Sequence, residues 1–452
     1  MNNNKILYLR SELAKKYMNL KLEDFFKYKS SDVIYRVDNM ANNVCNQIYL
    51  PLLKIISDLV IIVFILIFLS LVEFKILFTI ILTIFIIFIF YDFLIKNKLL
   101  NIGYLINKYS ARMVLDIQES INGFREIKSY QKEDFFITKI IDSSAKNRKY
   151  QLQYQFISII PKYVLEFIFI IIIVFIVIYL SLQSNMDSII PIISTFIVGL
   201  IRLMPISNSI LSSFNSIRVS KDSIDILYED MNIQSLKYNN HVNLNFKKIS
   251  LVNVSFGYNG KDKVIKNKNF TINKSDRVVI SGASGKGKST FVDIVAGNLH
   301  PTSGKIYINS KNHHSFKIKD LGFVSQKNFL LNDTIKNNII LNSKFNKKKY
   351  EKVINLTKLN ENLDDQSINS EKVTVGEQGS KISGGQLQKI SIARALYHGK
   401  KLLILDEATN ALDIKTEYEI LNNLIKDKSI TLIVITHRKS QIYKNFNKNL
   451  II

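Results

Sequence analysis

Hydrophobic residues gather into four long runs in the first half of the chain and several short ones in the second. Residues 59–72 (LVIIVFILIFLSLV) and 76–91 (ILFTIILTIFIIFIFY) carry no charge and are separated only by Glu73, Phe74 and Lys75. Each falls short of the ~20 residues that cross a hydrocarbon core about 30 Å thick. The helices must therefore continue past Asp58 and Asp92, as membrane helices with polar ends or as buried helices of a soluble fold. A third run, 167–186, reaches spanning length, and a fourth, 188–217, has Arg202 as its only charge. Four such runs together favour the membrane. They predict spanning helices near residues 50–72, 74–96, 163–184 and 188–212 within a membrane domain of residues 1–235.

After residue 220 the pattern changes. The stretch SKDSIDILYEDMNIQSLKYNNHVN is polar, and the apolar stretches that follow are short and strand-like (ISLVNVSF, DRVVISG, KLLILDE, TLIVITH). Helix-length segments separate them, which predicts a soluble α/β domain with a parallel core over residues 244–452.

Composition adds limits. With 47% hydrophobic residues, 5 Pro and 16 Gly, the chain is neither disordered nor collagen-like. Cys45, the single cysteine, cannot close an intramolecular disulfide, and His313 and His314 in a polar stretch read as surface residues, not metal ligands. A net charge of +24 invites a nucleic-acid partner, but its distribution argues otherwise. The connection from Lys96 to Lys162 carries 12 Lys and Arg, residues 1–49 carry 8, and the link 183–188 carries none. By the positive-inside rule the long connection and both termini are cytoplasmic, in a multi-pass protein of the cytoplasmic membrane. Residues 1–49 hold no apolar core of signal-peptide type. The charge thus reads as topology and requires no nucleic acid.

The candidate chemistry lies in the second half. Gly282 to Ser289 (GASGKGKS) fits GxxxxGK[ST] after a strand. Glycines such as Gly282, Gly285 and Gly287 let backbone N–H groups curl around phosphates, and a following helix N-terminus favours negative charge. Lys288 reaches the β- and γ-phosphates, and Ser289 can ligate Mg²⁺. LLILDE ends in Asp406, which can hold Mg²⁺ through water, and Glu407, which can polarise an attacking water. Thr436-His437 closes another apolar strand, placing an imidazole where it could contact the γ-phosphate. Each element alone has a bland reading: a chance glycine loop, a solvated strand end.

Together with Ile382-Ser383-Gly384-Gly385-Gln386, close to LSGGQ, these motifs make the chain resemble an ATP-binding cassette (ABC) exporter half-transporter over nearly its whole length. The resemblance implies a P-loop ATPase of ABC type fused to a helical membrane domain. It carries over adenine stacking to Tyr258, a catalytic and metal-binding role to Gln326, and phosphate contacts to Ser284 and Thr290 beside the loop glycines. Ser383, Gly384, Gly385 and Gln386 are expected to complete a partner's ATP site, so the chain should work with Mg²⁺ as a homodimer or paired with a similar half-transporter. Thr374–Gly379 and Asn410–Asp413 match two further loops. Departures are Lys286 for a small residue, Ile382 for Leu and Asn410 for Ser.

The function expected is ATP-driven export or flipping of a substrate. The family's six helices per half map these four runs onto the third to sixth, so the first two helices and the cassette's last strand and helix are expected to be missing. That leaves an alternative: a truncated membrane-bound ATPase subunit without translocation of its own. A soluble repair or translation ATPase fits the charge, and the four apolar runs oppose it. GLIRLMPISNSILSSFNSIR resembles the last helix of exporters that flip lipid-linked oligosaccharides, which makes Arg202 a candidate contact for a pyrophosphate-like head group in the lipid. The plain alternative is an arginine at the membrane edge or one pairing with a neighbouring helix.

Overall fold

The computed structural model describes residues 2–181, 186–233, 241–242, 247–258, 263–313, 316–318, 320–361, 374–399, 401–438 and 440–452. Residues 235 and 244, where the membrane domain was expected to end and the soluble domain to begin, lie outside these, as does residue 184. The chain divides into two compact units, Met1–Leu20 with Asp24–Ser235, and Leu236–Ile452 with Lys21–Glu23.

The first unit is helical. After α1 (Asn2–Met18) come α2 (Leu50–Val72), α3 (Phe74–Asn122), α4 (Glu133–Ser181), α5 (Met186–Val219) and α6 (Lys221–Asn232). The sequence suggested that the basic segment from Lys96 to Lys162 joins two spanning helices. Most of it is instead helix, because α3 and α4 run on for 49 residues each, with only a short helix, Phe124–Tyr130, between them. Lys and Arg are good helix formers, so loss of apolarity marks the membrane edge without ending the helix.

Leu69, Leu77, Ile80, Phe169, Phe196 and Leu200 belong to one core cluster shared by α2, α3, α4 and α5. Glycine sets one close approach: a Cβ on Gly103 of α3 would lie 1.9 Å from the Val219 carbonyl oxygen. Near the chain start, the buried Asp230 of α6 accepts hydrogen bonds from Tyr17 Oη and Arg36 Nη1, each at 2.7 Å.

The second unit contains two main sheets. One is wholly antiparallel, in the order β2 (Ile265–Asn273), β1 (Lys248–Phe256), β4 (Ser303–Ile308), β5 (Lys311–Asn312). The other, wholly parallel, takes β3 (Arg277–Ser281), β6 (Leu321–Val324), β7 (Leu402–Asp406), β8 (Thr431–Ile435) and β9 (Lys448–Ile451) in the order β9-β3-β8-β7-β6. Every residue of β7 and β8 is buried, which is why these strands read as unbroken apolar runs and not as alternation. The helices α7 (Lys288–Ala296), α8 (Gly384–Tyr397) and α9 (Ile414–Lys426) accompany the sheet. Register pairs Ile435 with both Asp406 and Ile280, so β3, β7 and β8 finish side by side.

Candidate nucleotide site

Parallel strands that end together bring their following residues together, and ligands of open α/β sheets bind at that edge. Here the Gly282–Ser289 loop follows β3, Gln326 follows β6, Glu407 follows β7 and His437 follows β8.

The loop after β3 turns through glycines with positive φ. Gly285 has φ +78° and Gly287 has φ +93°, a region costly for any residue with a Cβ, and a Cβ at Gly287 would also press within 2.6 Å of Val264. Gly287 is the N-cap of α7, so the loop delivers its backbone to a helix N-terminus, where orphan N–H groups and the dipole favour an anion. Lys288 is 5% exposed and its Nζ donates to the carbonyl oxygens of Gly282 at 3.1 Å and Ala283 at 2.9 Å. The cation is thus held under the loop that it would serve. Ser284, Gly285 and Lys286 are exposed on its outer side. Thr290 is buried, and its hydroxyl lies 3.0 Å from that of Tyr258. The Tyr258 ring is half exposed and braced edge-on by Phe256, which leaves a face for stacking.

Asp406 closes β7 almost fully buried. Burial pushes its carboxyl above the usual range and the neighbouring Glu407 adds to this, while a hydrogen bond from Ser289 and the charge of Lys288 pull the other way. One carboxylate oxygen, Oδ1, is buried with no hydrogen-bond partner among the described residues. A hydroxyl beside an orphaned, desolvated carboxylate oxygen is the donor set that a hard oxygen-seeking cation such as Mg²⁺ accepts. The site fits the metal.

Glu407 sits at φ +51°, a strained setting for a residue with a side chain, and its N–H donates to Ile435 O at 3.1 Å. His437 Nε2 lies 3.0 Å from its Oε1. Oε2 accepts from Gln326 Nε2 at 2.9 Å and from Asn410 Nδ2 at 3.0 Å. The geometry thus brings together Gln326, Glu407 and His437 and adds Asn410, which the sequence marked only as a departure from Ser. The ABC pattern at 410–413 was the one signal that could have found it.

Ser383, Gly384, Gly385 and Gln386 form the start of α8. Ser383 is its N-cap in a capping box: its Oγ accepts the Gln386 N–H at 3.2 Å, and Gln386 Oε1 accepts the Ser383 N–H at 2.8 Å. The N-terminus of α8 therefore also presents small residues and backbone N–H groups. Arg202 lies on α5 of the first unit and is exposed next to the buried Leu203.

Two family models match the chain: ABC transporter transmembrane region over residues 6–204 and ABC transporter over residues 265–410. A relative from Rickettsia prowazekii, named as an export ATP-binding/permease protein, is 30% identical over 461 residues, covering 96% of this chain and 77% of its own. One from Staphylococcus aureus, named as a multidrug export ATP-binding/permease protein, is 38% identical over 206 residues, 43% of this chain and 35% of its own. Among solved structures, a bacterial Atm1-family ABC exporter with ATP bound aligns with a TM-score of 0.85 at 19% identity. That alignment spans 97% of this chain and 78% of the other.

Proposed function

Because the chain belongs to the ABC transporter family, with an exporter-type membrane region fused to an ATPase domain, we propose that it couples ATP hydrolysis to export of a substrate across the cytoplasmic membrane. The working form pairs two cassettes, from two copies of this chain or from this chain and a similar half-transporter. Each nucleotide lies between the Gly282–Ser289 loop of one cassette and the Ser383–Gln386 turn of the other.

The observation that carries the reading is the convergence at one sheet edge of Lys288, the orphaned Asp406 oxygen and a Glu407 held by three side chains. Tyr258 stacks on adenine. Lys288 and the loop N–H groups, with Thr290 beside them, neutralise the phosphates. Ser289 and Asp406 would hold Mg²⁺, with Gln326 as a further ligand. When bound, the ion neutralises charge on the phosphoryl oxygens. Glu407 accepts a proton from water as the water oxygen bonds to the γ-phosphorus and the bond from that phosphorus to the bridging oxygen breaks, giving ADP and phosphate. His437 orients the γ-phosphate.

Glu407→Gln tests this directly. ATPase turnover of the purified chain in lipid nanodiscs should fall by a factor on the order of 10² to 10⁴ while ATP still binds. Unchanged turnover would sink the assignment. Hydrolysis without ATP-dependent transport, in vesicles loaded with candidate substrates, would favour the non-translocating alternative.

For the substrate, the exposed cation of Arg202 in the otherwise uncharged stretch 188–217 supports an anionic head group, such as the pyrophosphate of a lipid-linked oligosaccharide. Arg202→Ala should then raise the concentration of lipid-linked glycan needed to stimulate ATPase. An unshifted stimulation curve would rule Arg202 out of substrate recognition.

A further inference from the structure

Asn410 is the one side chain on Glu407 to which the chemistry above gives no task. A carboxylate takes a proton through a lone pair, and an N–H aimed at that oxygen competes for it. Gln326 and Asn410 both donate to Glu407 Oε2, at 2.9 and 3.0 Å, while His437 faces Oε1 at 3.0 Å. Gln326 is also the expected metal ligand, so its amide has reason to turn away. Asn410 has none of that kind.

The Asn410 amide has one admissible orientation. Turned over, it would point its carbonyl oxygen at a carboxylate. As it stands, Oδ1 is buried with no hydrogen-bond partner among the described residues, a cost that the contact of Nδ2 with Glu407 must offset. The backbone holds the residue there: its N–H donates to Glu407 O at 3.2 Å and its carbonyl accepts Arg438 Nη2 at 2.6 Å. The next residue faces the other way. The Ala411 N–H donates to Gln388 Oε1 on α8 at 2.9 Å, and a Cβ on Gly385 would lie 3.2 Å from Ala411 O. Two adjacent residues therefore tie Glu407 to the helix that carries Ser383–Gln386.

We infer that Asn410 is a positioning residue that restrains Glu407, releasing Oε2 when the 410–413 loop shifts with α8. The inference rests on Glu407 being the base. Released, Oε2 takes the proton of the water whose oxygen forms the new bond to phosphorus, as ADP leaves with the electrons of the broken P–O bond. Hydrolysis is thereby made conditional on the position of α8.

The test is steady-state ATPase of the full chain in lipid nanodiscs. Asn410→Ala should raise kcat by about tenfold to a hundredfold, the scale of one lost hydrogen bond to a charged group, with KM for ATP changed by less than about twofold. Asn410→Ser, whose hydroxyl still donates over a shorter reach, should give a smaller rise and also serves if the alanine variant does not fold. A kcat at or below wild type in every variant that binds ATP and unfolds at the wild-type temperature would overturn the restraint. Glu407→Gln added to each variant separates the two ideas: a double variant as fast as its parent overturns the base assignment itself. A collapse to the Glu407→Gln level keeps that assignment, so the single-variant result then judges Asn410 alone.

Discussion

The parallel strands of the cassette and the long helices of the membrane unit are both runs of Ile, Leu, Val and Phe, yet their apolar atoms meet different surroundings. In β7 and β8 every residue is buried against protein. In the most apolar window of each spanning helix only 11% to 22% of residues are buried within the unit. The strands are kept from water by packing, the helices by lipid. Between helices already solvated by lipid there is no hydrophobic drive to associate, so their arrangement depends on close fit and on polar contacts. The structure provides such contacts: Asp58 accepts from Ser209, Arg218 pairs with Asp92, and Asn215 donates to Tyr91 Oη at 2.9 Å.

The contrast has a direct test in matched truncations. Ile433→Ala in β8 removes three buried carbons from a fully enclosed site and should lower stability by about 2–5 kcal/mol, read as a fall in the unfolding temperature of the purified protein. Val63→Ala on α2, where the side chain is half exposed within the chain, should cost no more than about 0.5 kcal/mol in a lipid environment. Equal losses at the two sites would erase the distinction.

A smaller effect is expected at a polar contact of the membrane unit. Arg218 on α5 lies against the Phe214 ring and pairs with Asp92 of α3. Arg218→Ala leaves the Asp92 charge in a partly buried place and should cost about 1–3 kcal/mol. Asp92→Ala made in that background should then cost little more. If the two losses simply add, the pair is not what joins these helices.

The same contrast explains what could be read from the chain in advance. Asp406, Glu407 and His437 were legible because each terminates an apolar run, and parallel strands bring such ends together whatever their separation in sequence. Lys288 was legible because glycine spacing dictates a phosphate loop. The ends of α3 and α4 were not, since hydropathy reports the lipid boundary while Lys, Arg, Glu and Gln carry the helix on beyond it. Nor was the contact from Asn410, because a neutral amide in a turn has no periodicity and its partner is fixed only by the strained backbone of Glu407. Asp58 and Ser209 lie 151 residues apart with no shared motif, so only the packing of α2 on α5 could pair them.

The smaller of the two charge effects probes the cassette's edge through pH. Asp276, 6% exposed just before β3, accepts from Lys448 Nζ at 2.6 Å, from the Asn273 N–H at 2.7 Å and from Asn447 Nδ2 at 2.9 Å, fastening β9 to β3. Burial pushes its carboxyl up, but Lys448, the Asn273 N–H and Asn447 together outweigh that and hold it below the ordinary value. A depressed folded value means that the clamp contributes fully above the unfolded pKa of about 3.9 and is lost as pH falls through the folded one. Between pH 6 and pH 3 the wild-type unfolding temperature should therefore drop by about 2–4 °C more than that of Asp276→Asn, which has no carboxylate there to protonate. Parallel drops would mean that β9 is held by its backbone ladder alone, and that the cassette edge, unlike the helix contact at Arg218, draws little from its charges.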